Sequence, residues 1–279
     1  MSTYFQCGRY RFDLTGPESR PLVMGILNVT PDSFSDGGKY RTLSAALRRA
    51  GQMIKEGADI IDIGAESSRP GVEPVSLQEE LDRLMPVVEA LRDCDRPLSI
   101  DTYKPEVMTA ALAAGAAMIN NIEGFRSVES VSRLVLSDCG VCVMHMQGSP
   151  RTMQLAPAYT DVTEETIAFL KEQVEALLAA GISRERICID PGFGFGKTFE
   201  QNLVLLKNLA HIRNSLQLPL LAGLSRKSVI GTITGKEVSG RLAGNLGAAL
   251  SAVAYGADIL RVHEVAETVD ALKVWFATR

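Results

Sequence analysis

The chain has 279 residues, of which 46% are apolar and 22% charged, and its formal net charge is −4 at pH 7. This is the composition of a globular protein with enough apolar material for a large core. Its acidic and basic residues are well mixed, so it lacks the basic stripe of a nucleic-acid-binding protein. The longest uncharged runs, 107–122 and 242–257, are shorter than the roughly 20 apolar residues of a membrane helix. We therefore expect neither a nucleic-acid partner nor a membrane span.

Residues 1–14 contain no apolar signal core, which favours a cytoplasmic protein. Five cysteines are scattered along the chain, and an odd number in such a protein argues against a disulfide framework. Cys139 and Cys142 have CxxC spacing, but no second pair completes a zinc site. We interpret them as buried thiols near a turn, because Cys142 begins an apolar run that predicts a strand.

The predicted elements begin with a hairpin around Gly8, formed by residues 4–7 and 9–14, which we expect to cover the bottom of the fold. Eight short apolar or β-branched runs follow, and each predicts a buried strand. Amphipathic helical segments separate these runs, as in segment 161–180, where apolar residues share one helical stripe. The predicted strands are 22–29, 59–63, 98–101, 118–122, 141–145, 187–190, 220–224 and 259–263.

The sequence also marks where several helices begin and end. Ser76 and Glu79 form a capping-box pattern that predicts the start of the second helix of the barrel. Gly57, Gly115 and Gly256 each precede a predicted strand, as glycine does where a helix ends in an αβ loop. This repeated pattern, in which a helix ends at glycine and a strand follows, supports the prediction of eight strand–helix units.

Eight strands, each followed by a helix, indicate the α/β class and a closed parallel (β/α)8 barrel, the TIM barrel. No linker-like segment divides the chain, so we expect residues 1–279 to form a single domain that includes the short N-terminal hairpin. The main structural alternative is an open doubly wound sheet. It needs a glycine-rich turn after the first strand, and residues 28–31 do not provide one.

Polar residues gather at the ends of the predicted strands. In barrel enzymes, chemistry occurs at the carboxyl ends of the strands and in the loops that follow them. Buried carboxylates are seldom kept without partners, so we expect these residues to converge on one mouth of the barrel. The strand-end residues are Asn28, Asp62, Asp101, Asn120, Asn121, His145, Asp190, Ser225, Arg226, Lys227, Arg261 and His263.

The chemistry of these residues indicates a ligand with a flat ring and a phosphate group. Asp and Asn beside an apolar wall can pair with the donor edge of an amino-substituted heterocycle, and Lys227 can donate to its acceptor atoms. Arg261 and His263 lie two positions apart on one strand face and suit a phosphate. Asn28 is an oxygen ligand of the kind that Mg²⁺ takes when it also binds substrate phosphates.

Competing motifs are incomplete. Segment 192–198 is similar to a P-loop, but Pro191 occupies the position of the first required glycine, and the GxGxxG pattern is not met either. The chain has three histidines and no HExxH pattern, so we do not expect a catalytic zinc site. A Schiff base on Lys227 stays open as an alternative, although other cationic groups surround this lysine in the sequence.

Several segments resemble the signatures of the dihydropteroate synthase family of pterin-binding barrels. They occur in order and cover nearly the whole chain: 24–38, 62–71, 99–107, 190–198, 224–231 and 261–263. The resemblance implies a (β/α)8 barrel that condenses (7,8-dihydropterin-6-yl)methyl diphosphate with 4-aminobenzoate to give 7,8-dihydropteroate and pyrophosphate. It also implies Mg²⁺ as the cofactor, a homodimer as the assembly and sensitivity to sulfonamides.

The resemblance further implies roles for individual residues, with Asp101, Asp190 and Lys227 central to catalysis. The implied pterin-binding residues are Asp101, Asn120, Ile122, Met144, Asp190, Phe195 and Lys227. The implied pyrophosphate-binding residues are Asn28, Ser68, Arg261, Val262 and His263, and Asn28 would also contact the metal. The implied 4-aminobenzoate-binding residues are Phe34, Ser67, Ser68, Arg69, Pro70, Lys227 and Ser228, with Asp36 expected to pair with Arg69.

The chain departs from the family pattern at two positions. Ser68 stands where threonine is usual, which keeps the hydroxyl, and Asn121 stands where aspartate is usual, which leaves the role of Asn121 open. Two other functions share the implied fold. Methyltetrahydrofolate methyltransferases have similar strand-end residues but lack the 24–38 and 67–71 segments. The second alternative is a pterin-binding barrel that has lost catalytic turnover, and the one residue that favours it is Asn121.

Overall fold

The computed structural model describes residues 4–16, 19–30, 39–67, 71–149 and 152–278. The chain begins with an antiparallel hairpin of strands β1 (Tyr4–Cys7) and β2 (Tyr10–Asp13). Gly8 has a φ of +55° at the turn, a left-handed conformation that glycine adopts without steric cost. The hairpin predicted around Gly8 is confirmed.

Eight parallel strands form the centre of the fold. Each is short and mostly buried, as expected for strands covered by helices on the outside and side chains within. The strands are β3 (Leu22–Asn28), β4 (Ile60–Gly64), β5 (Leu98–Asp101), β6 (Met118–Asn121), β7 (Gly140–Met144), β8 (Ile187–Asp190), β9 (Leu221–Ala222) and β10 (Ile259–Val262).

Neighbouring strands pair in sequence order from β3 to β8, and β10 lies between β3 and β9. A single parallel bridge between Ile189 and Leu220 joins β8 to the residue before β9, with Ile189 N–H donating to Pro219 O over 2.9 Å. This contact completes the ring, so the predicted (β/α)8 barrel is confirmed. The seventh barrel strand is shorter than the predicted 220–224, because the chain turns after Ala222 and Lys227 N–H donates to Leu224 O.

Helices surround the strands and connect one to the next. In the described part of the chain they are α1 (Lys39–Glu56), α2 (Leu77–Leu91), α3 (Pro105–Ala113), α4 (Val128–Val135), α5 (Val162–Ala179), α6 (Phe199–Lys207), α7 (Leu209–Leu216), α8 (Ser228–Thr234), α9 (Leu242–Ala254) and α10 (Val265–Ala277). Within the described ranges, none of these helices is both long and apolar enough to cross a membrane.

Capping differs in part from the prediction. Ser76 Oγ accepts the N–H of Glu79 over 3.2 Å at the start of α2, but the Glu79 carboxylate pairs with Arg83 one turn later. A full capping box occurs instead at α6, where Thr198 and Gln201 exchange hydrogen bonds. The predicted box is therefore half formed, because a nearby arginine attracts the carboxylate.

The hairpin covers the amino-terminal end of the barrel. Phe5 and Cys7 are fully buried in a cluster that includes Met24, Met118 and Cys142 from the strands. The expected cover at the bottom of the fold is thus confirmed. The cysteines at 7, 94, 139, 142 and 188 are free thiols, and four of them are buried, in agreement with the sequence analysis. With this end closed, the opposite end of the barrel is left for ligand binding.

Candidate active site

An ion-pair network lies at the carboxyl ends of the central strands. Arg261 on β10 donates from Nε to Asp62 Oδ2 on β4 and from Nη2 to Asp101 Oδ2 on β5, each over 2.6 Å. The two bonds run across the barrel interior, since β3 separates β10 from β4 in the sheet. The predicted convergence of strand-end residues on one mouth therefore holds for this group.

Asp62 is the most enclosed member of the network, with no exposed surface. Besides Arg261, it accepts a hydrogen bond of 2.6 Å from Ser99 Oγ and one of 3.4 Å from Asn120 Nδ2. Sequence reasoning placed Asp62 at a strand end but gave it no role in the site. The signal that could have found it is the charge of Arg261, because a buried arginine requires acidic partners.

A second part of the site surrounds Asp190 at the end of β8. Its Oδ1 accepts the Gly192 N–H over 2.7 Å, while Lys227 donates from Nζ to Phe193 O. The Lys227 ammonium also lies 4.8 Å from the centre of the Phe195 ring, within cation–π range. Asp190 and Lys227 therefore belong to the same wall of the mouth.

Lys227 and Arg261 both lie close to Gly223. A methyl group on Gly223 would lie 3.8 Å from Lys227 Nζ and 3.8 Å from Arg261 Cβ. The two halves of the site are thus continuous, and three carboxylates face two cations across the mouth. Such an arrangement offers more acceptors than donors, which suits a ring edge that presents N–H groups.

Burial dominates the electrostatics of the mouth. It raises the pKa of Asp101 to about 7, an effect that the charge of Arg261 offsets only in part. Burial also raises the pKa of Asp190 and lowers the pKa of Lys227 to about 8, although Asp190 favours the charged lysine. For Arg261, burial disfavours the charge, but Asp62 and Asp101 outweigh it and raise the pKa.

Lys197 holds the loop that carries Phe195 through hydrogen bonds to the backbone of that loop. This lysine is buried, and its Nζ lies 2.9 Å from His145 Nδ1 and 3.0 Å from the carbonyl oxygens of Gly192 and Phe195. Burial, aided by the charge of Lys197, lowers the pKa of His145 to about 2, so His145 is neutral and can accept this hydrogen bond. His145, predicted as a strand-end polar residue, thus has a structural partner.

An apolar slot borders the polar residues. Ile122, Met144 and Phe195, all implied in pterin binding, lie in one cluster. Met146, Met153 and Tyr103 complete this cluster, and sequence reasoning did not include them. A flat ring can lie against such a wall while its edge reaches the carboxylates.

The phosphate end of the predicted site includes Asn28 and His263. A methyl group on Gly64 would lie 3.7 Å from Asp101 Oδ2 and 3.8 Å from Asn28 Oδ1, so the Asn28 carboxamide is close to the ion-pair network. His263 Nδ1 lies 3.0 Å from Ser225 Oγ, which also donates to Glu264 over 3.2 Å.

Asn121 faces a different environment from its neighbour Asn120. It is buried, and its Oδ1 accepts the Glu123 N–H over 2.7 Å in the loop after β6. An aspartate could accept the same hydrogen bond, so the departure from the family pattern preserves a local turn. Asn120, by contrast, points to Asp62 in the barrel.

The structure describes only part of the residues implied for 4-aminobenzoate binding. Ser67 is half-buried after β4, and Ser228 is exposed at the start of α8 beside Lys227. Glu66, next to Ser67, pairs with Lys104, which also contacts Glu80 over 2.5 Å. The remaining residues implied for this pocket, and the expected partner of one of them, lie outside the described residues: Phe34, Asp36, Ser68, Arg69 and Pro70.

The chain is similar to known proteins over most of its length. Residues 24–263 match the model of a family described as pterin binding enzyme. The dihydropteroate synthase of Haemophilus influenzae is 49% identical over 261 residues, which cover 93% of this chain and 94% of that protein.

Two solved structures are similar over nearly their whole length. Dihydropteroate synthase of Burkholderia cenocepacia, complexed with 7,8-dihydropteroate, is 49% identical with a TM-score of 0.89, covering 99% of this chain and 96% of that one. The Yersinia pestis dihydropteroate synthase with a sulfonamide drug complex is 44% identical with a TM-score of 0.91, covering 99% and 98%.

The barrel and its polar mouth are those of a pterin-binding enzyme, and the chain belongs to the pterin-binding enzyme family. The relatives given above match 93–99% of this chain. Its activity is that of a dihydropteroate synthase, a transferase.

Proposed function

We propose that the barrel mouth condenses (7,8-dihydropterin-6-yl)methyl diphosphate with 4-aminobenzoate to give 7,8-dihydropteroate and pyrophosphate. The observation that carries this proposal is the position of Asp101, Asp190 and Lys227 beside the apolar slot of Phe195. The 7,8-dihydropteroate bound by the Burkholderia cenocepacia relative is the product of such a reaction.

The pterin ring would lie against Ile122, Met144 and Phe195. Its N–H edge would donate to Asp190, which has one oxygen on Gly192 N–H and a second oxygen available for a ligand. Lys227 would donate to acceptor atoms of the ring. Asn120 and Asp101 would contact the remaining polar atoms on the side of the Arg261 network.

The pyrophosphate would bind at Asn28, Ser68, Arg261, Val262 and His263. Arg261 already has two carboxylate partners. It would keep the hydrogen bond from Nε to Asp62, and its remaining N–H groups would donate to the pyrophosphate. A hydrogen-bonded guanidinium held in this way is preorganised for the charge that develops on the leaving oxygen.

Asn28 fits a magnesium ion that is shared with the substrate. The described residues contain no group of three or more His, Cys, Asp or Glu side chains that could hold a metal by themselves. Mg²⁺ often binds through one or two protein oxygens with phosphate oxygens and water as the other ligands, and Asn28 would supply such an oxygen. When bound, the ion would neutralise charge on the departing pyrophosphate.

The reaction breaks the C–O bond between the pterin methylene and the diphosphate and forms a C–N bond to the aniline nitrogen. The bonding electrons leave with pyrophosphate, and the amine loses one proton as the product forms. Asp101 and Asp190, in their ionised forms, would stabilise positive charge on the ring and methylene carbon. Exclusion of water from the mouth would prevent hydrolysis at the same carbon.

The second substrate would bind beside Lys227 and Ser228, with Ser67 and the residues at 34 and 68–70 completing its pocket. Because a sulfonamide shares the aniline ring of 4-aminobenzoate, we propose that sulfonamides compete with this substrate, as suits the drug complex of the Yersinia pestis relative. Inhibition should be competitive with 4-aminobenzoate and not with the pterin.

We also propose a cytoplasmic homodimer. In support of a second copy, α9 packs against α8 and α10, and all three helices carry exposed apolar side chains, among them Ile233, Leu242 and Val274. Sedimentation of the purified chain would test this assembly, and a monomer at micromolar concentration would contradict it.

Pyrophosphate release tests the reaction. The purified enzyme with Mg²⁺ should release pyrophosphate rapidly only when both substrates are present, and Lys227→Met should abolish turnover. Lys171→Met, at an exposed lysine on α5, is the control and should retain full activity. Pterin binding without release would instead indicate a barrel that has lost turnover, and methyl transfer from methyltetrahydrofolate would indicate the other class of pterin enzyme.

A further inference from the structure

A tight turn precedes α8 and carries Lys227 into the site. Arg226, at the centre of this turn, has a φ of +62°, a left-handed conformation that costs an ordinary residue about 1–2 kcal/mol. Such a conformation persists where surrounding contacts hold it in place. Two side chains from the start of α9 supply contacts of this kind, Arg241 and Asn245.

Arg241 binds the turn through its carbonyl groups. Its Nη1 donates to Arg226 O over 3.0 Å and to Lys227 O over 3.4 Å, and its Nε donates to Lys236 O over 2.8 Å. Asn245 Oδ1 accepts the Arg226 N–H over 3.0 Å. Both peptide groups of Arg226 are thus held by side chains that lie outside the turn.

The guanidinium of Arg241 reaches the turn by passing over Gly231 in α8. A methyl group on Gly231 would lie 2.5 Å from Arg241 Cζ and 2.9 Å from Arg241 Nε, far inside contact distance. The three atoms nearest to this methyl group all belong to the far end of the flexible Arg241 side chain, so the guanidinium rather than the backbone would have to move. Glycine at 231 therefore keeps open the path that Arg241 needs.

We propose that Arg241 is a positioning residue for the Arg226–Ser228 turn, and that glycine at 231 leaves the space that its guanidinium occupies. We call the contacts of Arg241 with this turn the Arg241 clamp. By holding the Lys227 carbonyl, Arg241 sets where Lys227 and Ser228 enter the mouth, without contacting either substrate. The proposal rests on the proposed function in that Lys227 and Ser228 serve both substrates there. It adds two residues, 231 and 241, to the set that determines activity.

Two single variants and their combination test the clamp. In Arg241→Gln the shorter side chain cannot donate to the carbonyl oxygens of Arg226 and Lys227. In Gly231→Ala the added methyl group displaces the Arg241 guanidinium, although every polar group is still present. Each should lower kcat/KM for 4-aminobenzoate by about tenfold, as expected for loss of two hydrogen bonds of modest strength. The double variant should be no worse than the poorer single variant, because both remove one interaction.

Measurements of thermal stability distinguish a positioning role of Arg241 from a role in stabilising the fold. Gly231→Ala raises helix propensity, so its Tm should stay level or rise while its activity falls. Gly51→Ala is the matched control, since Gly51 lies inside α1 with no atom within 4 Å of an added methyl group, and its activity should be unchanged. Full activity in Gly231→Ala, or additive losses in the double variant, would overturn the proposal.

Hydrogen exchange provides a readout that does not need turnover. The amides of residues 226–228 should exchange several-fold faster in Arg241→Gln and in Gly231→Ala than in the parent protein, while those of β8 should not change. If the parent protein lacked synthase activity but this pattern held, the proposed function would fail and the clamp would stand. Unchanged exchange at 226–228 in both variants would refute the clamp whatever the activity.

Discussion

Arg261 Nη2 lies 2.6 Å from Asp101 Oδ2, and the same guanidinium binds Asp62 through Nε. This bridge connects the two carboxylates at the carboxyl ends of β4 and β5 with the last strand of the barrel. It keeps Asp101 charged more readily than burial alone would allow. The bridge therefore links the proposed pterin side of the mouth with the proposed pyrophosphate side.

The activity should depend on pH near neutrality. Because the pKa of Asp101 is about 7 and that of Lys227 about 8, kcat/KM for the pterin substrate should follow a bell-shaped profile with limbs near these values. Raising the pH through 7 ionises Asp101 and increases activity, whereas raising it through 8 deprotonates Lys227 and decreases it. A profile that is flat from pH 6 to 9 would contradict these assignments.

Arg261→Lys should move the acid limb of that profile to higher pH. A lysine cannot bind both carboxylates in the same way, so Asp101 would lose part of the charge that lowers its pKa. Arg213→Lys is the matched control, because Arg213 forms a similar pair with Asp258 at the other end of the barrel, with contacts of 2.6 and 2.7 Å. Its pH profile should match that of the parent enzyme.

Asp190→Asn should weaken pterin binding by about 1.5–3 kcal/mol, which is the usual contribution of a hydrogen bond to a charged group. The amide oxygen can still accept the Gly192 N–H, so the loop after β8 should keep its conformation. Calorimetric titration with a pterin measures the loss, and thermal unfolding checks the fold. An affinity within twofold of the parent enzyme would remove Asp190 from the pterin site.

Much of this site follows from the sequence, because a parallel barrel brings all strand ends to one mouth. The positions of Asp101, Asn120, Asp190 and Lys227 could be predicted on that basis. The charge of Arg261 indicates that it has acidic partners, but which strand-end carboxylates these are depends on which side chains meet across the barrel interior. Nor could the sequence predict that the GFGFGKT lysine is buried against His145, because those residues are distant in the chain and meet only once β7 and β8 pair.

Lys197→Met tests that buried contact. The loss of the Lys197 amino group leaves the carbonyl oxygens of Gly192 and Phe195 without their donor, and each buried unsatisfied group costs about 1–3 kcal/mol. We expect a lower Tm and, because the Phe195 wall shifts, weaker pterin binding. Lys207→Met, at an exposed position at the end of α6, should change neither quantity. Unaltered stability in Lys197→Met would show that the loop does not depend on this lysine.

Asn28→Ala should reduce turnover and raise the Mg²⁺ concentration needed for half-maximal activity. The affinity for a pterin without the diphosphate should change little, because Asn28 is proposed to contact the diphosphate and its metal rather than the ring. Magnesium titration of the rate and calorimetry with the bare pterin measure the two effects separately. If both magnesium dependence and rate matched the parent enzyme, Asn28 would have no part in binding the leaving group.

The pterin ring is proposed to bind in the mouth with its N–H edge on Asp190. A crystal structure of the enzyme with a pterin that lacks the diphosphate tests it most directly. We predict ring nitrogens about 3 Å from the Asp190 carboxylate, the ring face against Phe195, and the methylene carbon directed toward Arg261. A pterin bound outside the mouth, or one whose N–H edge points away from Asp190, would rule out this mode of binding.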